Sequence, residues 1–366
     1  MELCDLAPGY VRAIAPYQPG KPIAELAREM GLDPADIVKL ASNENPLGSS
    51  SLALAAIQAC LPELARYPDG NGFALKTALS RKYGLPLEQI VLGNGSNDIL
   101  EFAARAFLKP GDSAVYSRHA FAVYPLVVQA VGARGIEVPA KDYGNDPHAL
   151  LAAIETDTRL IFIANPNNPT GTLILPDALL ALIEQVPHDV LVLLDEAYFE
   201  YLASEVAPNS IAWLARFSNL LIARTFSKAY GLAGLRVGFG LAHPGVIDML
   251  NRVRQPFNVS SVAQVAAVAA LDDVPHLQRS VILNAAGMQQ ICQGLKRLGL
   301  SYIPSFGNFV SFRIGGAAVM YQRLLKRGVI VRPIASYAMP DYLRVSIGLE
   351  TENEKFLSAL SSAIQE

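Results

Sequence analysis

The chain reads as an α/β protein, with a large unit on a mostly parallel sheet covered by helices and a smaller α+β unit after it. Three observations predict this. Between residues 90 and 225, short continuous apolar runs alternate with amphipathic stretches, the pattern of strands buried on both faces and separated by helices. Beyond residue 257 two long helical stretches lead into short strands of a different rhythm. The chain, at 366 residues, also exceeds what one hydrophobic core usually serves.

Residues 23–30 have helical period, with Pro22 before them and Gly31 after them, a matched start and stop. A brief strand then gives way to the polar loop Lys39-Leu40-Ala41-Ser42-Asn43-Glu44-Asn45-Pro46-Leu47-Gly48. Helical period returns over 52–64, and Arg66-Tyr67-Pro68-Asp69-Gly70-Asn71-Gly72 breaks it, because no regular element absorbs that density of turn formers. A helix over 74–83 ends at Gly84. Strands are then expected at 90–92, 113–116, 134–138, 160–164, 190–194 and 220–223, with one more at 236–241. Helices fall between them, from the turn at 93–98 to about 108, then over 122–131, 148–154 and 176–185. The second unit carries helices over 261–271 and 274–298, strands at 302–304, 308–313, 329–332 and 342–347, and helices over 318–326 and 352–364. Its sheet is expected to be mixed or antiparallel. The division is an N-terminal arm of 1–45 packing with the small domain, a large domain of 46–255 and a small C-terminal domain of 256–366.

Composition narrows the function. Hydrophobic residues make up 51%, charged residues 17%, and the net charge is −3, a globular balance with no basic face for nucleic acid. The apolar runs are too short to span a bilayer, and the first residues lack the basic and apolar regions of a secretory signal. Cys4, Cys60 and Cys292 have neither metal-ligand nor redox spacing, so no metal is expected. The expectation is a cytoplasmic protein without disulfides.

In an open, mostly parallel sheet, ligands sit beyond the carboxyl ends of the strands. After 90–92 comes Gly93-Asn94-Gly95-Ser96-Asn97, a turn at a helix N-terminus whose free amides suit an anion. Asp98 occupies the third glycine place of a dinucleotide fingerprint, so that reading is weak, and a plain tight turn stays open. After 160–164 comes Asn165-Pro166-Asn167-Asn168-Pro169-Thr170-Gly171, where two X-Pro steps stiffen a loop bearing three amides. After 190–194 comes Asp195-Glu196-Ala197-Tyr198. A carboxylate there needs a partner, either as a helix cap or against a cationic ring nitrogen. After 220–223 comes Arg224-Thr225-Phe226-Ser227-Lys228-Ala229-Tyr230-Gly231-Leu232-Ala233-Gly234-Leu235-Arg236. Alone, this could be a surface loop with an ordinary lysine. Together, the four strand ends match the needs of pyridoxal phosphate: a lysine for its aldehyde, an aspartate for its ring nitrogen, amide and phenol for its 3′-oxygen, and donors for its phosphate.

These segments resemble fold-type I, pyridoxal-phosphate-dependent aminotransferases of class II. Ile14-Ala15-Pro16-Tyr17-Gln18-Pro19-Gly20-Lys21-Pro22, Ser42-Asn43-Glu44-Asn45-Pro46, Arg66-Tyr67-Pro68-Asp69-Gly70, Val331-Arg332-Pro333 and Leu343-Arg344-Val345-Ser346-Ile347-Gly348 narrow the likeness to the histidinol-phosphate aminotransferase family, from about residue 8 to 365. The resemblance implies a homodimer with its active site at the subunit interface. It implies Lys228 as the Schiff-base lysine and proton shuttle, Asp195 on the pyridine nitrogen, and Asn168 with Tyr198 at the 3′-oxygen. Gly95, Ser96 and Asn97 would join Thr225, Ser227 and Arg236 at the phosphate, Phe121 would stack on the ring, and Tyr67 would reach over from the neighbouring subunit. Many members carry Tyr at the place of Phe121 and Asp-Glu where this chain has Asn97-Asp98. Arg344, with Arg332 and Tyr17, would hold the anionic end of both glutamate and a phosphate ester.

The expected reaction is reversible amino transfer between L-histidinol phosphate and 2-oxoglutarate, giving imidazole-acetol phosphate and L-glutamate in histidine biosynthesis. The alternatives are an aromatic amino acid aminotransferase and a phosphothreonine decarboxylase on the same fold. An effector-binding module of a regulator would carry an added helix-turn-helix domain, and only about 45 residues precede the first large-domain helix.

Overall fold

The structure is a computed structural model that describes residues 2–16 and 20–366. Strand β1 (Val38–Lys39) lies in the arm. The central sheet contains β2 (Ile90–Gly93), β3 (Ser113–Ser117), β4 (Arg134–Val138), β5 (Thr158–Ala164), β6 (Leu191–Asp195), β7 (Leu220–Thr225) and β8 (Gly238–Ala242). Their order is β2-β8-β7-β6-β5-β3-β4. Strand β8 runs antiparallel to both of its neighbours, and every other pairing is parallel. The carboxyl ends of β2, β5, β6 and β7 therefore share one edge of the sheet. Each interior strand sends alternate residues to opposite faces. Ile161, Ile163, Val192 and Leu194 join one core with Leu75, Leu79 and Leu179 from the covering helices. Phe162, Leu193 and Leu221 join the other with Leu100, Phe102 and Leu250.

Two helices refine the sequence reading. The helix Pro244–Val253 follows β8 directly, where no helix was expected. Pro at its first turn and the His243 side chain accepting from Gly245 N start it, and Ile247 and Leu250 bury its inner face. The helix Ser261–Asp272 buries Ala263, Ala266, Ala267 and Ala270 in the first core, against the helix Ser51–Cys60. Small residues at this spacing let two helices approach closely.

The second sheet is antiparallel throughout, in the order β12-β13-β10-β9. It comprises β9 (Tyr302–Ile303), β10 (Phe309–Arg313), β12 (Arg332–Pro333) and β13 (Tyr342–Ser346). The single strand expected at 329–332 is split. β11 (Val329–Ile330) leaves this sheet and pairs in parallel with β1 of the arm, while Arg332 and Pro333 pair with β13. Packed behind the sheet, Phe312, Leu324, Phe356 and Leu360 form a separate core with the helices Ala317–Lys326 and Glu350–Ile364. Among the described residues no helix is long and apolar enough to cross a membrane.

Candidate active site

The four strand ends singled out in the sequence open onto one cleft. Ser96, Asn97, Phe121, Asn168, Asp195, Tyr198, Thr225, Ser227, Lys228 and Arg236 all line it, together with Tyr124.

At one end the cleft is built for an anion. The helix Ser96–Phe107 begins there, capped by Gly95 at φ 82, so its first amides point out with the positive end of the helix dipole behind them. A Cβ on Gly95 would lie 2.4 Å from Arg236 Nη2. A Cβ on Gly238 would lie 2.5 Å from the Ser96 amide. Glycine at both places lets the guanidinium and the helix terminus converge. Arg236 itself sits in the left-handed region, at φ 55, and donates to Ser227 Oγ at 3.2 Å. Asp98 has a structural role: its carboxylate accepts from Asn94 N and Asn258 Nδ2. The site residues present thus fit a phosphate.

The other end is built for a cation. Asp195 closes β6, is buried, and accepts from Tyr124 Oη at 2.9 Å and Ala197 N at 3.2 Å. Burial pushes its carboxyl up to about 6, and Glu196 adds to the rise, while the two donors and Lys228 oppose it. A carboxylate desolvated to this degree gains most from a positive partner. No α-helix starts at Asp195; a single 3-10 turn, Phe199–Tyr201, follows, so the helix-cap alternative falls away.

Lys228 lines the same cleft, half-buried, with Nζ 3.1 Å from the Ser42 carbonyl and 5.8 Å from the Tyr198 ring centre. Its amine is pulled down to about 8 by burial and by the cations Arg344 and Arg236, against the pull of Glu44 and Asp195. An amine in that range is partly neutral near pH 7, as a nucleophile or base must be. The phenol of Tyr198 is pushed up to about 12 by burial, with Arg344 and Asn43 opposing.

Arg344 and Arg332 sit directly opposite each other on β13 and β12, which places their side chains side by side. Arg344 is buried and donates to Asn168 Oδ1 and to the Ala41 carbonyl, which ties it to the cleft. Arg332 is half-buried beside a neighbouring cavity that His119 and Tyr337 also line. Tyr67 does not line its own subunit's cleft: the residue is 83% exposed and its ring stacks on Phe257 at 4.8 Å. Tyr17 lies outside the described residues.

Three features are absent from the sequence reading. Tyr124 holds Asp195 from a different helix and stacks on Phe162 at 4.7 Å. Asn43 of the arm donates to Tyr198 Oη at 2.9 Å. Arg224 and Glu196, both buried, pair on the far side of the same strand ends through two bonds of 2.9 and 2.8 Å. The sequence carries a signal for the last: Glu196 adjoins Asp195, Arg224 adjoins Thr225, and alternation must turn both away from the cleft.

The family model for aminotransferase class I and II matches residues 35–360. A histidinol-phosphate aminotransferase of Methylobacillus flagellatus is 66% identical over 363 residues, covering 99% of this chain and 98% of the relative. Histidinol-phosphate aminotransferase 2 of Nitrosospira multiformis is 62% identical over 366 residues, covering 100% of this chain and 93% of its own length. The crystal structure of histidinol-phosphate aminotransferase from Sinorhizobium meliloti in complex with pyridoxal-5′-phosphate superposes with a TM-score of 0.89 at 29% identity, covering 98% of this chain and 97% of that one. Aspartate aminotransferase from Thermus thermophilus with maleate, at 22% identity and a TM-score of 0.82, shares the fold. With the cleft and these likenesses together, the chain belongs to the aminotransferase class I and II family, and within it to the histidinol-phosphate aminotransferases.

Proposed function

We propose that the chain catalyses reversible, pyridoxal-phosphate-dependent amino transfer between L-histidinol phosphate and 2-oxoglutarate, giving imidazole-acetol phosphate and L-glutamate. The observation that carries this reading is the meeting of Lys228, Asp195 and an anion cradle in one cleft, next to the paired arginines Arg332 and Arg344. Bound there, pyridoxal 5′-phosphate supplies an aldehyde for a lysine amine and a ring that accepts electrons from the substrate's α-carbon.

The rest is done by the chain. The amides of Gly95, Ser96 and Asn97 with Thr225, Ser227 and Arg236 would hold the phosphate. Asp195, kept in place by Tyr124, would hold the ring nitrogen's proton, and Phe121, which lines the cleft, would cover the ring. Asn168 and Tyr198 would serve the 3′-oxygen. The neutral Lys228 Nζ takes the proton from the substrate's α-carbon, a role its lowered pKa allows. Histidinol phosphate has no α-carboxylate, so its phosphate uses the anionic subsite of Arg344 and Arg332 that also accepts glutamate. Tyr17 is assigned to the same subsite on sequence resemblance.

The same reading includes a homodimer. Leu52, Leu54, Leu61, Leu64, Tyr67, Phe73 and Phe257 are large apolar side chains left exposed along one stretch of the chain and its Phe257 neighbour. A set of this size supports an interface, across which Tyr67 would enter the neighbouring cleft. It also divides the chain into an arm of 1–45, a large unit of 46–255 and a small unit of 256–366. The pairing of β1 with β11 supports the arm's place; the helix Ser261–Asp272, although within 256–366, buries its alanines in the large unit's core, which argues for a boundary after this helix rather than at 255. A cytoplasmic location completes the reading.

Incubation with L-histidinol phosphate and 2-oxoglutarate tests it. Stoichiometric glutamate is the expected product. Glutamate formed faster from phenylalanine or tyrosine would reassign the substrate, and carbon dioxide from phosphothreonine would reassign the reaction.

A further inference from the structure

The arm segment around Asn43 runs through the cleft's hydrogen-bond network. Ala41 O accepts from Arg344 Nη2 at 2.7 Å, and Ser42 O accepts from Lys228 Nζ at 3.1 Å. Asn43 between them and the turn is 1% exposed and adopts the left-handed conformation, at φ 55, which Asn tolerates better than most residues. Its carbonyl accepts from Asn308 Nδ2 at 3.0 Å.

The Asn43 amide has a fixed sense. Asn43 N donates to Ser346 Oγ at 2.8 Å, and Ser346 Oγ donates in turn to Asn43 Oδ1 at 3.0 Å. Turning the amide over would aim the serine proton at an N–H donor. With Oδ1 taken by Ser346, Nδ2 faces Tyr198 Oη at 2.9 Å. An amide nitrogen only donates, so the phenol oxygen accepts. The phenol's own proton must then go elsewhere. Phe309 lies edge-on to the Tyr198 ring, centroids 5.2 Å apart, and the phenol lines the cleft.

We propose that Asn43, held by Ser346, is a positioning residue that directs the Tyr198 hydroxyl proton into the cleft, where it serves the 3′-oxygen of the bound cofactor. This rests on the pyridoxal phosphate reading above. Ser346 lies two residues beyond Arg344 on β13, so the two share a strand face. The strand that holds the substrate's anion thus also sets the sense of the Tyr198 hydrogen bond.

The test is a spectroscopic pH titration of the pyridoxal-phosphate-loaded protein, read from the cofactor's visible absorbance without substrate. A hydrogen bond into the 3′-oxygen draws charge from it and weakens its hold on the neighbouring proton, so losing that bond raises the midpoint. Tyr198→Phe sets the full effect, about one to two pH units upward for a bond to a charged group. Asn43→Asp, which keeps the shape and offers an acceptor to the phenol, should reproduce that shift. Asn43→Gly, which keeps the left-handed backbone and so the fold, should move the midpoint the same way by a smaller amount. The double variant Asn43→Asp/Tyr198→Phe should shift no further than Tyr198→Phe alone, since coupled residues do not add. A wild-type midpoint in Asn43→Gly and Asn43→Asp, or full additivity in the double variant, overturns the proposal. A wild-type protein that develops no titrating band with pyridoxal phosphate would overturn the cofactor reading itself, and this role with it.

Discussion

Arg224→Leu is the substitution to which the fold should respond most sharply. Glu196 is 0% exposed, and both hydrogen bonds to its Oε2 come from Arg224 Nε and Nη2. Its Oε1 has no hydrogen-bond partner among the described residues. The guanidinium carbon lies 3.6 Å from the Phe199 ring centre and 5.2 Å from that of Tyr83. Removing one member of such a pair leaves a buried charge uncompensated, which costs about 3–5 kcal/mol. For a chain of this length melting as one unit, that lowers Tm by about 4–6 °C. The assay is thermal unfolding by circular dichroism of Arg224→Leu, Glu196→Leu and the double variant. Replacing the whole pair with apolar side chains removes both desolvation costs, so the double variant should recover most of the loss. A melting curve for Arg224→Leu that overlays wild type, or a double variant whose loss equals the sum of the singles, would refute this reasoning.

Three further outcomes follow from the cleft. Asp195 in the cofactor-free protein has its carboxyl raised from 3.8 to about 6, so the folded chain keeps a proton that the unfolded chain gives up, and stability falls as pH rises from about 4 to about 6. Asp195→Asn should therefore stabilise the cofactor-free protein at pH 7, by up to about 3 kcal/mol, and change little at pH 4. Equal melting temperatures at pH 7 would show that Asp195 carries no burial penalty. Gly95→Ala would put a Cβ 2.4 Å from Arg236 Nη2 at a φ of 82; equilibrium dialysis should find pyridoxal phosphate held at least about tenfold more weakly with the far-ultraviolet spectrum unchanged, and wild-type affinity would remove the phosphate cradle from this place. Tyr67→Ala and Lys228→Ala, each inactive alone, should on mixing and refolding regain about a quarter of wild-type activity through mixed dimers with one intact site. No recovery would mean that Tyr67 serves its own subunit or none.

The central sheet and its chemistry were legible because both are local. Five apolar residues before Asp195, and four before the lysine segment, announce a buried strand and the place where it opens. What the sequence could not show depends on partners far along the chain. Asn43 meets Tyr198 155 residues away, and Tyr124 meets Asp195 across 71; a turn-forming Asn and an aromatic in a helix carry no mark of such contacts. The split of 329–332 has the same origin. A run of four apolar and basic residues reads as one strand until β1, more than 280 residues earlier, takes half of it. Tyr67 is the reverse case: the resemblance assigned it to the neighbouring subunit's cleft, and its place at the surface of its own chain is what that role requires.

The most direct measurement compares the wild-type protein with Lys228→Ala, both loaded with pyridoxal phosphate and mixed with L-histidinol phosphate in the absence of added amines, following the cofactor's absorbance. Wild type should convert within one turnover, and Lys228→Ala should be slower by several orders of magnitude, with partial recovery when a small primary amine is supplied. Conversion at a comparable rate by Lys228→Ala without an added amine would contradict the assignment of Lys228 as the proton-moving base.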